Sequence, residues 1–368
     1  MNSVVLALLV WFLPMAWVSY SSYGGDPRGL LLLGSKFPAP SELESIPNSG
    51  LYGYDGQFYA AIATDPDLSE QETVEALDSP EYRAGRILVP VMAWIVAAGH
   101  SGLAVWTYIL TTWILSLIGV AVASYWILRL GAPAWWAWLL PVGAGCVISV
   151  LRVTPDLPAL TLALGALGAG RCGRQRLALF LGTLAPLARE TMILYPLAMG
   201  LVDCRDGKWK RGIVFTAVPM LVLVSSRVLI HQRFDTLDGA FSRNFGLPFA
   251  WVGAKVGQLS SVPSWKIVVF ELCGLSIIGA ACIACILLLP GWRGWTTVHL
   301  SYALTVSLVM ITGFAVWEDT YAYARVFLGL PIMATILACR RHGLTKRTLL
   351  AVPALAAVCG LLVILRDV

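Results

Sequence analysis

A short polar run after the first long apolar segment holds the residues best suited to chemistry. It reads Tyr54-Asp55-Gly56-Gln57-Phe58-Tyr59. A lone carboxylate flanked by aromatic side chains at a membrane surface suits the removal of a proton from an attacking hydroxyl group. Asp-Gly is also a common turn dipeptide, to which Gly53 adds flexibility, so a purely structural turn is the alternative. We predict Asp55 as a catalytic base, with Tyr54, Gln57 and Tyr59 as its substrate-binding neighbours.

Arg152 and Asp156 lie four residues apart at the start of an apolar segment, where Thr154 is predicted as the helix N-cap and Pro155 as the first helical residue. At this spacing Arg152 can pair with Asp156 and keep guanidinium donors for a ligand. Alternatively, Asp156 only complements the helix N-terminus, which is worth up to about 1 kcal/mol. Ionisable groups at membrane depth are costly, so both residues are candidates for a site.

Two more pairs of charges lie in apolar surroundings. Arg189-Glu190 follows Pro186, which should kink the helix. Because neighbouring residues on a helix diverge by about 100°, at least one of the pair should face a cavity or a partner helix. A structural interhelical pair is the alternative. Glu318 and Arg325 are seven residues apart, on one face if the segment is helical, although its Trp and Tyr residues also fit an interfacial aromatic belt.

Composition places these charges in a polytopic membrane protein. Apolar residues make up 58% of the 368 residues and charged residues 13%, and the mean hydropathy is +0.75. Repeated apolar stretches are long enough to cross a hydrocarbon core of roughly 30 Å. The first, 4–20, lacks the basic start of a signal peptide, so we expect a retained helix. The predicted spans are 4–20, 104–128, 133–151, 155–170, 177–188, 190–202, 212–231, 267–289, 296–315, 325–339 and 348–365, about 10–11 crossings in all.

The segments 177–188 and 190–202 are short for a crossing, at roughly 20 Å each. We expect them to form a broken hairpin around Arg189 and Glu190. Irregular backbone at membrane depth is tolerated where it is buried in protein or lines a wet cavity, so the break itself predicts a cavity.

Basic residues predict the orientation. If the N-terminus is cytoplasmic and 86–100 only dips into the membrane, the inner loops hold 13 of the 26 Lys and Arg residues but only two acids, Asp203 and Asp206. This is the positive-inside pattern, and no nucleic-acid-binding patch is indicated. The inner basic segments are Arg129, Arg171 to Arg176, Arg205 to Arg211, Arg293 and Arg340 to Arg347.

Residues 1–368 are predicted as one integral membrane domain with two long outer loops. The first loop, 21–103, is expected to be structured and to include an interfacial helix at 86–100. The second loop, 232–266, carries Arg233, Asp235, Asp238 and Arg243. In this orientation Asp55, Arg83, Arg86 and the pairs described above all face the outer side, which predicts one extracytoplasmic site. Its arginines suit a phosphate, and its aromatic rings suit a sugar or a prenyl chain.

These motifs resemble a known family. The run Tyr54 to Tyr59, with Ile62-Ala63, Asp65-Pro66, Tyr82-Arg83, Arg86-Ile87-Leu88 and Pro90, resembles the first-loop pattern of bacterial multi-spanning GT-C-type glycosyltransferases, and more loosely the Trp-Asp-Gly loop of the GPI mannosyltransferase branch. The segments Pro155-Asp156-Leu157-Pro158-Ala159-Leu160 and Ala188-Arg189-Glu190-Thr191 are similar to the same family. The resemblance implies a polyprenyl-phosphate-linked sugar donor, an inverting displacement and Asp55 as the base or acceptor-orienting group. Asp55 has no adjacent acid, unlike the two-acid loops of several GT-C families, so no divalent metal or other cofactor is indicated.

The sequence therefore predicts an all-α, GT-C-like transmembrane bundle in a bacterial cytoplasmic membrane. Its predicted function is transfer of a hexosyl or pentosyl unit from a polyprenyl-phosphate donor to a lipid-linked or cell-surface glycan, within the lipid bilayer and without nucleic acid. A transporter or flippase of a lipid-linked glycan is an alternative, because Arg/Asp pairs and broken helices also mark translocation pathways. No repeat symmetry supports it. A non-catalytic glycan-assembly factor is a third alternative.

Overall fold

The computed structural model describes residues 2–234, 244–261 and 264–367, which fold almost entirely into helices. The all-α prediction is therefore confirmed for the described residues. The helices are α1 Ser3–Tyr23, α2 Asp55–Thr64, α3 Gln71–Glu75, α4 Pro80–Ala84, α5 Leu88–Val96, α6 Ser101–Arg129, α7 Ala134–Val142, α8 Ala144–Leu151, α9 Asp156–Arg171, α10 Gln175–Ala188, α11 Leu194–Arg205, α12 Trp209–Phe234, α13 Ala250–Ser261, α14 Trp265–Leu288, α15 Thr297–Ile311, α16 Phe314–Trp317, α17 Thr320–Val326, α18 Gly329–Ala338 and α19 Gly343–Asp367. Short 3₁₀ helices lie at Pro27–Leu31, Glu190–Ile193 and Leu289–Gly294.

Within the described residues, five helices are long and apolar enough to cross a membrane: α1, α6, α12, α14 with the 3₁₀ turn after it, and α19. The count rises to seven if each of two bent pairs, α7 with α8 and α17 with α18, forms one span. The prediction of 10–11 crossings exceeds this count, because α9, α10, α11 and α15 have fewer residues than the roughly 20 that a straight crossing needs. Large apolar side chains on the long helices are exposed, as expected where lipid surrounds them, among them Leu13, Leu221, Leu229 and Ile286.

The helix α9 lies at the centre and packs on α6, α10 and α11. Small residues allow the close approach of α6: a Cβ atom at Gly119 would collide with the side chain of Thr161, whose hydroxyl donates a hydrogen bond to the Leu115 carbonyl at 2.9 Å. Membrane helices commonly associate through such small residues. The start of α9, which carries Asp156, is thereby fixed against α6.

Between α1 and α6 the chain forms a series of short elements. Two small strands, β1 Leu33–Gly34 and β2 Asn48–Gly50, pair in parallel. They are followed by α2 to α5, of which α2 packs on both α5 and α6. The helix expected over 86–100 is α5, and Pro90 lies in its first turn, where proline is tolerated.

The predicted break at Arg189 is present. Its backbone is extended (φ −158°, ψ 122°), so α10 ends at Ala188 and a 3₁₀ turn leads into α11. The two side chains of the Arg189-Glu190 dipeptide consequently point to different partners.

The second long loop is partly helical in the residues that the structure describes. Its helix α13 packs on α16, where Trp251 stacks on Trp317 with the ring centroids 3.7 Å apart. Arg233 lies in the last turn of α12 and donates a hydrogen bond to the Leu68 carbonyl. Asp235, Asp238 and Arg243 lie outside the described residues.

Candidate active site

Asp55 is the first residue of α2, and the glycine after it fixes its position. A Cβ atom at Gly56 would lie 2.5 Å from the backbone carbonyl oxygen of Arg152, closer than side chains tolerate. Glycine is therefore needed for the contact of α2 with the end of α8. Both residues are helical, so the turn alternative does not describe this dipeptide. The helix N-terminus also favours the negative charge of Asp55.

Two arginines clamp the Asp55 carboxylate, one on each oxygen. Arg83 Nη2 lies 2.9 Å from Oδ1, and Arg325 Nη1 lies 2.8 Å from Oδ2. On its other side Arg83 makes a bidentate pair with Asp78, at 2.7 and 2.8 Å. About a fifth of the Asp55 side chain stays exposed, while both arginines are almost fully buried. The carboxylate is thus rigidly held and still accessible.

Asp156 is fully buried and binds two arginines, Arg189 and Arg325. The Arg325 distance is 3.3 Å. The predicted N-cap is wrong by one residue: α9 begins at Asp156 with Pro155, not Thr154, as its N-cap, and this cap makes no side-chain hydrogen bond to the first turn. Instead, the Ser149 hydroxyl of α8 accepts a hydrogen bond from the Leu157 amide at 3.1 Å. Asp156 therefore joins helices by ion pairs as well as lying at a helix start.

Arg86 and Glu190 form the second part of the site. Arg86 Nε and Nη2 donate to the two carboxylate oxygens of Glu190 at 2.9 and 2.6 Å. The Tyr59 hydroxyl accepts from Arg86 at 3.0 Å and lies 3.4 Å from Arg83, so it bridges the two arginines. Arg227 approaches Glu190 at 3.6 Å. The structure thus brings together charges from α2, α4 and the turn after it, α9, α12, α17 and the break after α10.

The connected groups carry an excess of positive charge. Among the described residues, five arginines face four carboxylates in this network, and most of these side chains are buried. An anion that entered would find guanidinium groups already desolvated, which strengthens each interaction. The members are Asp78, Arg83, Asp55, Arg325, Asp156, Arg189, Arg86, Glu190 and Arg227.

Asp55 lies outside the membrane-spanning helices, and its charge state follows from its two partners. Burial alone would raise the pKa of Asp55, but Arg83 and Arg325 hold it well below its usual range. The carboxylate is therefore ionised at every physiological pH. In this arrangement it is a weak base, because protonation would break two ion pairs.

A cavity of about 730 Å³ opens beside the network, within the size range of small-molecule sites. Arg86, Arg189 and Arg227 line it, together with many apolar side chains. Two buried polar atoms, Arg189 Nε and Thr191 Oγ1, have no hydrogen-bond partner among the described residues. The break after α10 lines this cavity, as the sequence predicts. Its apolar lining includes Ile193, Leu194, Leu223, Val224, Val228, Leu308, Val316 and Val326.

Tyr54, the residue before Asp55, lies near two guanidinium groups. The guanidinium carbon of Arg325 lies 4.8 Å from the Tyr54 ring centroid, and that of Arg152 lies 5.9 Å from it. The Tyr54 hydroxyl is buried without a hydrogen-bond partner among the described residues. Asp156 pairs with Arg189 and Arg325, so the predicted Arg152–Asp156 pair is replaced by these.

Gln57 and Glu318 have other contacts. The Gln57 side chain accepts from the Gly34 amide at 2.8 Å and donates to the Tyr52 carbonyl at 2.9 Å, so it holds the loop before α2. Glu318 is exposed between α16 and α17. The helix is interrupted there, so the expectation that Glu318 and Arg325 share one helical face is wrong.

Asp78 and Arg227 belong to the network but were not predicted from the sequence. Arg227 could have been predicted, since it is a lone charge in the middle of the apolar helix α12 and charged residues within membrane segments usually have a function. Asp78 is an ordinary loop acid by sequence. Its role depends on the fold of residues 78–83, which no short motif encodes.

No protein-family model, characterised protein or solved structure matches this chain. The described residues also contain no group of three or more His, Cys, Asp or Glu side chains that could hold a metal ion. A functional assignment therefore depends on the geometry of the site and on the motif resemblance.

Proposed function

We propose that this chain is a GT-C-type membrane glycosyltransferase. It transfers a sugar from a polyprenyl-phosphate-linked donor to a lipid-linked or cell-surface glycan. The site faces the extracytoplasmic side of a bacterial membrane, and the elements between α1 and α6 form its structured outer loop. Asp55 acts on the acceptor hydroxyl.

The observation that carries the proposal is the layer of arginines between Asp55 and the apolar cavity. Arg83 and Arg325 pair with Asp55. Arg86 and Arg189 line the cavity. Arg86 also donates a hydrogen bond to the Tyr59 hydroxyl, and Arg189 pairs with Asp156. A polyprenyl phosphate has the matching chemistry, with an anionic head for the arginines and a long apolar chain for the cavity walls.

The chemistry follows from these positions. The acceptor oxygen attacks the anomeric carbon as the bond from that carbon to the phosphate oxygen breaks, which inverts the configuration. The hydroxyl proton passes to Asp55, and polyprenyl phosphate leaves with the electron pair of the broken bond. Proton removal by a placed base contributes about 10²- to 10⁴-fold, and the arginines stabilise the charge that develops on the phosphate.

Donor binding also addresses the weak basicity of Asp55. A phosphate competes with Asp55 for the guanidinium groups of Arg83 and Arg325, and each interaction it takes over raises the pKa of the carboxylate toward its usual range. Asp55 becomes an effective base only when the donor is present. This order protects the site from unproductive proton uptake.

The direct test uses purified protein in lipid nanodiscs. Radiolabelled sugars are presented as polyprenyl-phosphate sugars or as nucleotide sugars, with lipid-linked glycans as acceptors. Transfer from a polyprenyl-phosphate sugar alone supports the proposal. Transfer from nucleotide sugars alone, or its absence with every donor that binds the folded protein, contradicts it.

Translocation of a lipid-linked glycan is the second candidate, and one observation favours it. A smaller cavity of about 340 Å³ lies near the opposite ends of α9, α11 and α15. Proteoliposomes with a fluorescent lipid-linked sugar distinguish the two functions, because a flippase exposes the inner-leaflet sugar to a membrane-impermeant quencher without transferring it.

A further inference from the structure

The smaller cavity is separate from the proposed active site, although the same helices build both. At one end of α15, Leu308 lines the large cavity, and at the other end Val298 and His299 line the small one. Likewise α11 contributes Leu194 to the large cavity and Met199 to the small one. Along α15 the ten positions from Val298 to Leu308 span roughly 15 Å.

The rim of this cavity is basic. Arg171, Lys208, Arg211 and Arg340 line it against two carboxylates, Asp203 and Asp206.

Both carboxylates already have arginine partners. Arg211 Nε donates to Asp203 at 2.5 Å, and Arg205 pairs with Asp206 at 2.9 Å. Among the described residues no carboxylate pairs with Arg171, Lys208 or Arg340. These three exposed cations come from different turns and converge on one opening, where their charge is not neutralised by the protein.

The walls below the rim are apolar. Trp126, Leu130, Leu167, Ile336 and Leu337 line the cavity between the helices. A free anion would use the cations and leave this surface without a partner. A ligand with a phosphate head and an attached apolar part matches both the rim and the walls.

We infer that the cavity rimmed by Arg171, Lys208 and Arg340 binds the phosphate head group of an anionic phospholipid. Basic pockets between membrane helices recognise such head groups through charge and proximity to the leaflet. The bound lipid ties the turns after α9, α11 and α18 together. This role is independent of sugar transfer.

The test measures binding of a short-chain phosphatidylglycerol to the full chain in a neutral detergent, from the concentration dependence of the Tm. Short-chain phosphatidylcholine and inorganic phosphate are measured in parallel. We expect saturable stabilisation by phosphatidylglycerol and none by phosphatidylcholine. Equal stabilisation by both lipids overturns the inference, and so does inorganic phosphate that binds as tightly as phosphatidylglycerol.

Paired variants locate the binding site. Lys208→Gln with Arg340→Gln should weaken phosphatidylglycerol binding about tenfold or more, since two charged contacts are lost. Arg176→Gln with Lys210→Gln removes the same charge from exposed positions outside the cavity and should leave the Kd within about twofold. If the double cavity variant does not fold, Arg171→Gln alone is measured. An unchanged Kd in the cavity variants places the lipid elsewhere and overturns the inference.

Discussion

Arg325 Nη1 lies 2.8 Å from the Asp55 carboxylate, although 270 positions separate the two residues in the chain. The same nitrogen is 3.3 Å from Asp156. One guanidinium group therefore ties the first turn of α2 to the start of α9 and to α17. The position of the proposed base depends on elements from both ends of the sequence.

The pH dependence of folding stability should reflect the ion pairs of Asp55 with Arg83 and Arg325. Because its pKa in the folded protein lies below the ordinary 3.8, its ion pairs stabilise the fold fully above that value and are lost as the pH falls through the folded-state pKa. We expect the stability difference between wild type and Asp55→Asn to be constant from about pH 8 to pH 5 and to shrink below about pH 4. Thermal unfolding across this range is the measurement.

The pH profiles of kcat/KM and kcat provide a second test of the charge state of Asp55. The kcat/KM profile reports the free enzyme, so it should show no acid limb from Asp55 above about pH 4. The kcat profile reports the complex, in which donor phosphate draws on the same arginines, so its acid limb should lie at higher pH. Identical profiles for the two parameters would argue against competition between phosphate and Asp55.

Gly56→Ala should disturb the site through packing. The added methyl group meets the Arg152 carbonyl at 2.5 Å, and overpacking of this kind costs about 1 to 3 kcal/mol. We expect a lower Tm and slower transfer. Gly102→Ala is the matched control, because a Cβ atom there meets nothing within 4 Å and alanine favours the helix. Equal behaviour of the two variants would show that the α2 contact is not tight.

The all-α membrane class and most of the charged residues that the structure brings together could be predicted from the sequence, because hydropathy and isolated charges are local signals. The sequence did not predict which charges pair. Arg152 is close to Asp156 in sequence, yet Arg189 and Arg325 bind that carboxylate, because α10 and α17 fold back against the start of α9. The expectation for Glu318 is wrong for a similar reason: the helix is interrupted after Trp317, so Glu318 does not share a helical face with Arg325.

Arg227→Gln should weaken donor binding more than turnover. Arg227 lines the large cavity beside Glu190 and is away from Asp55, so its loss removes binding that ground state and transition state share. We expect a KM for the donor about tenfold higher with kcat nearly unchanged. Arg233→Gln, on the same helix but outside the cavity, is the control. A fall in kcat with constant KM would place Arg227 nearer the reacting atoms.

Lys255 and Glu271 are expected to hold α17, and hence Arg325, in position. Lys255 Nζ lies 2.8 Å from Glu271, which also accepts from the Thr320 amide at 2.9 Å, and both charged side chains are buried. Lys255→Met leaves a lone buried carboxylate and should cost about 3 to 5 kcal/mol of the free energy of unfolding.

Adding Glu271→Gln to Lys255→Met should restore much of the lost stability, because neither charge then remains. Lys266→Met, at an exposed position of α14, should change the free energy of unfolding by about 0.5 kcal/mol or less. The measurement is equilibrium unfolding monitored by Trp fluorescence. A double variant as unstable as Lys255→Met alone would show that the pair is not what stabilises this contact.

The most direct test compares Asp55→Asn with Asp78→Asn in sugar transfer from polyprenyl-phosphate donors. Both substitutions remove one carboxylate from Arg83, and in each case the arginine keeps the other, so both variants should fold. We expect Asp55→Asn to lower the transfer rate about 100-fold or more and Asp78→Asn to keep it within several-fold of wild type. Full transfer activity in a correctly folded Asp55→Asn protein would contradict the assignment of Asp55 as the base.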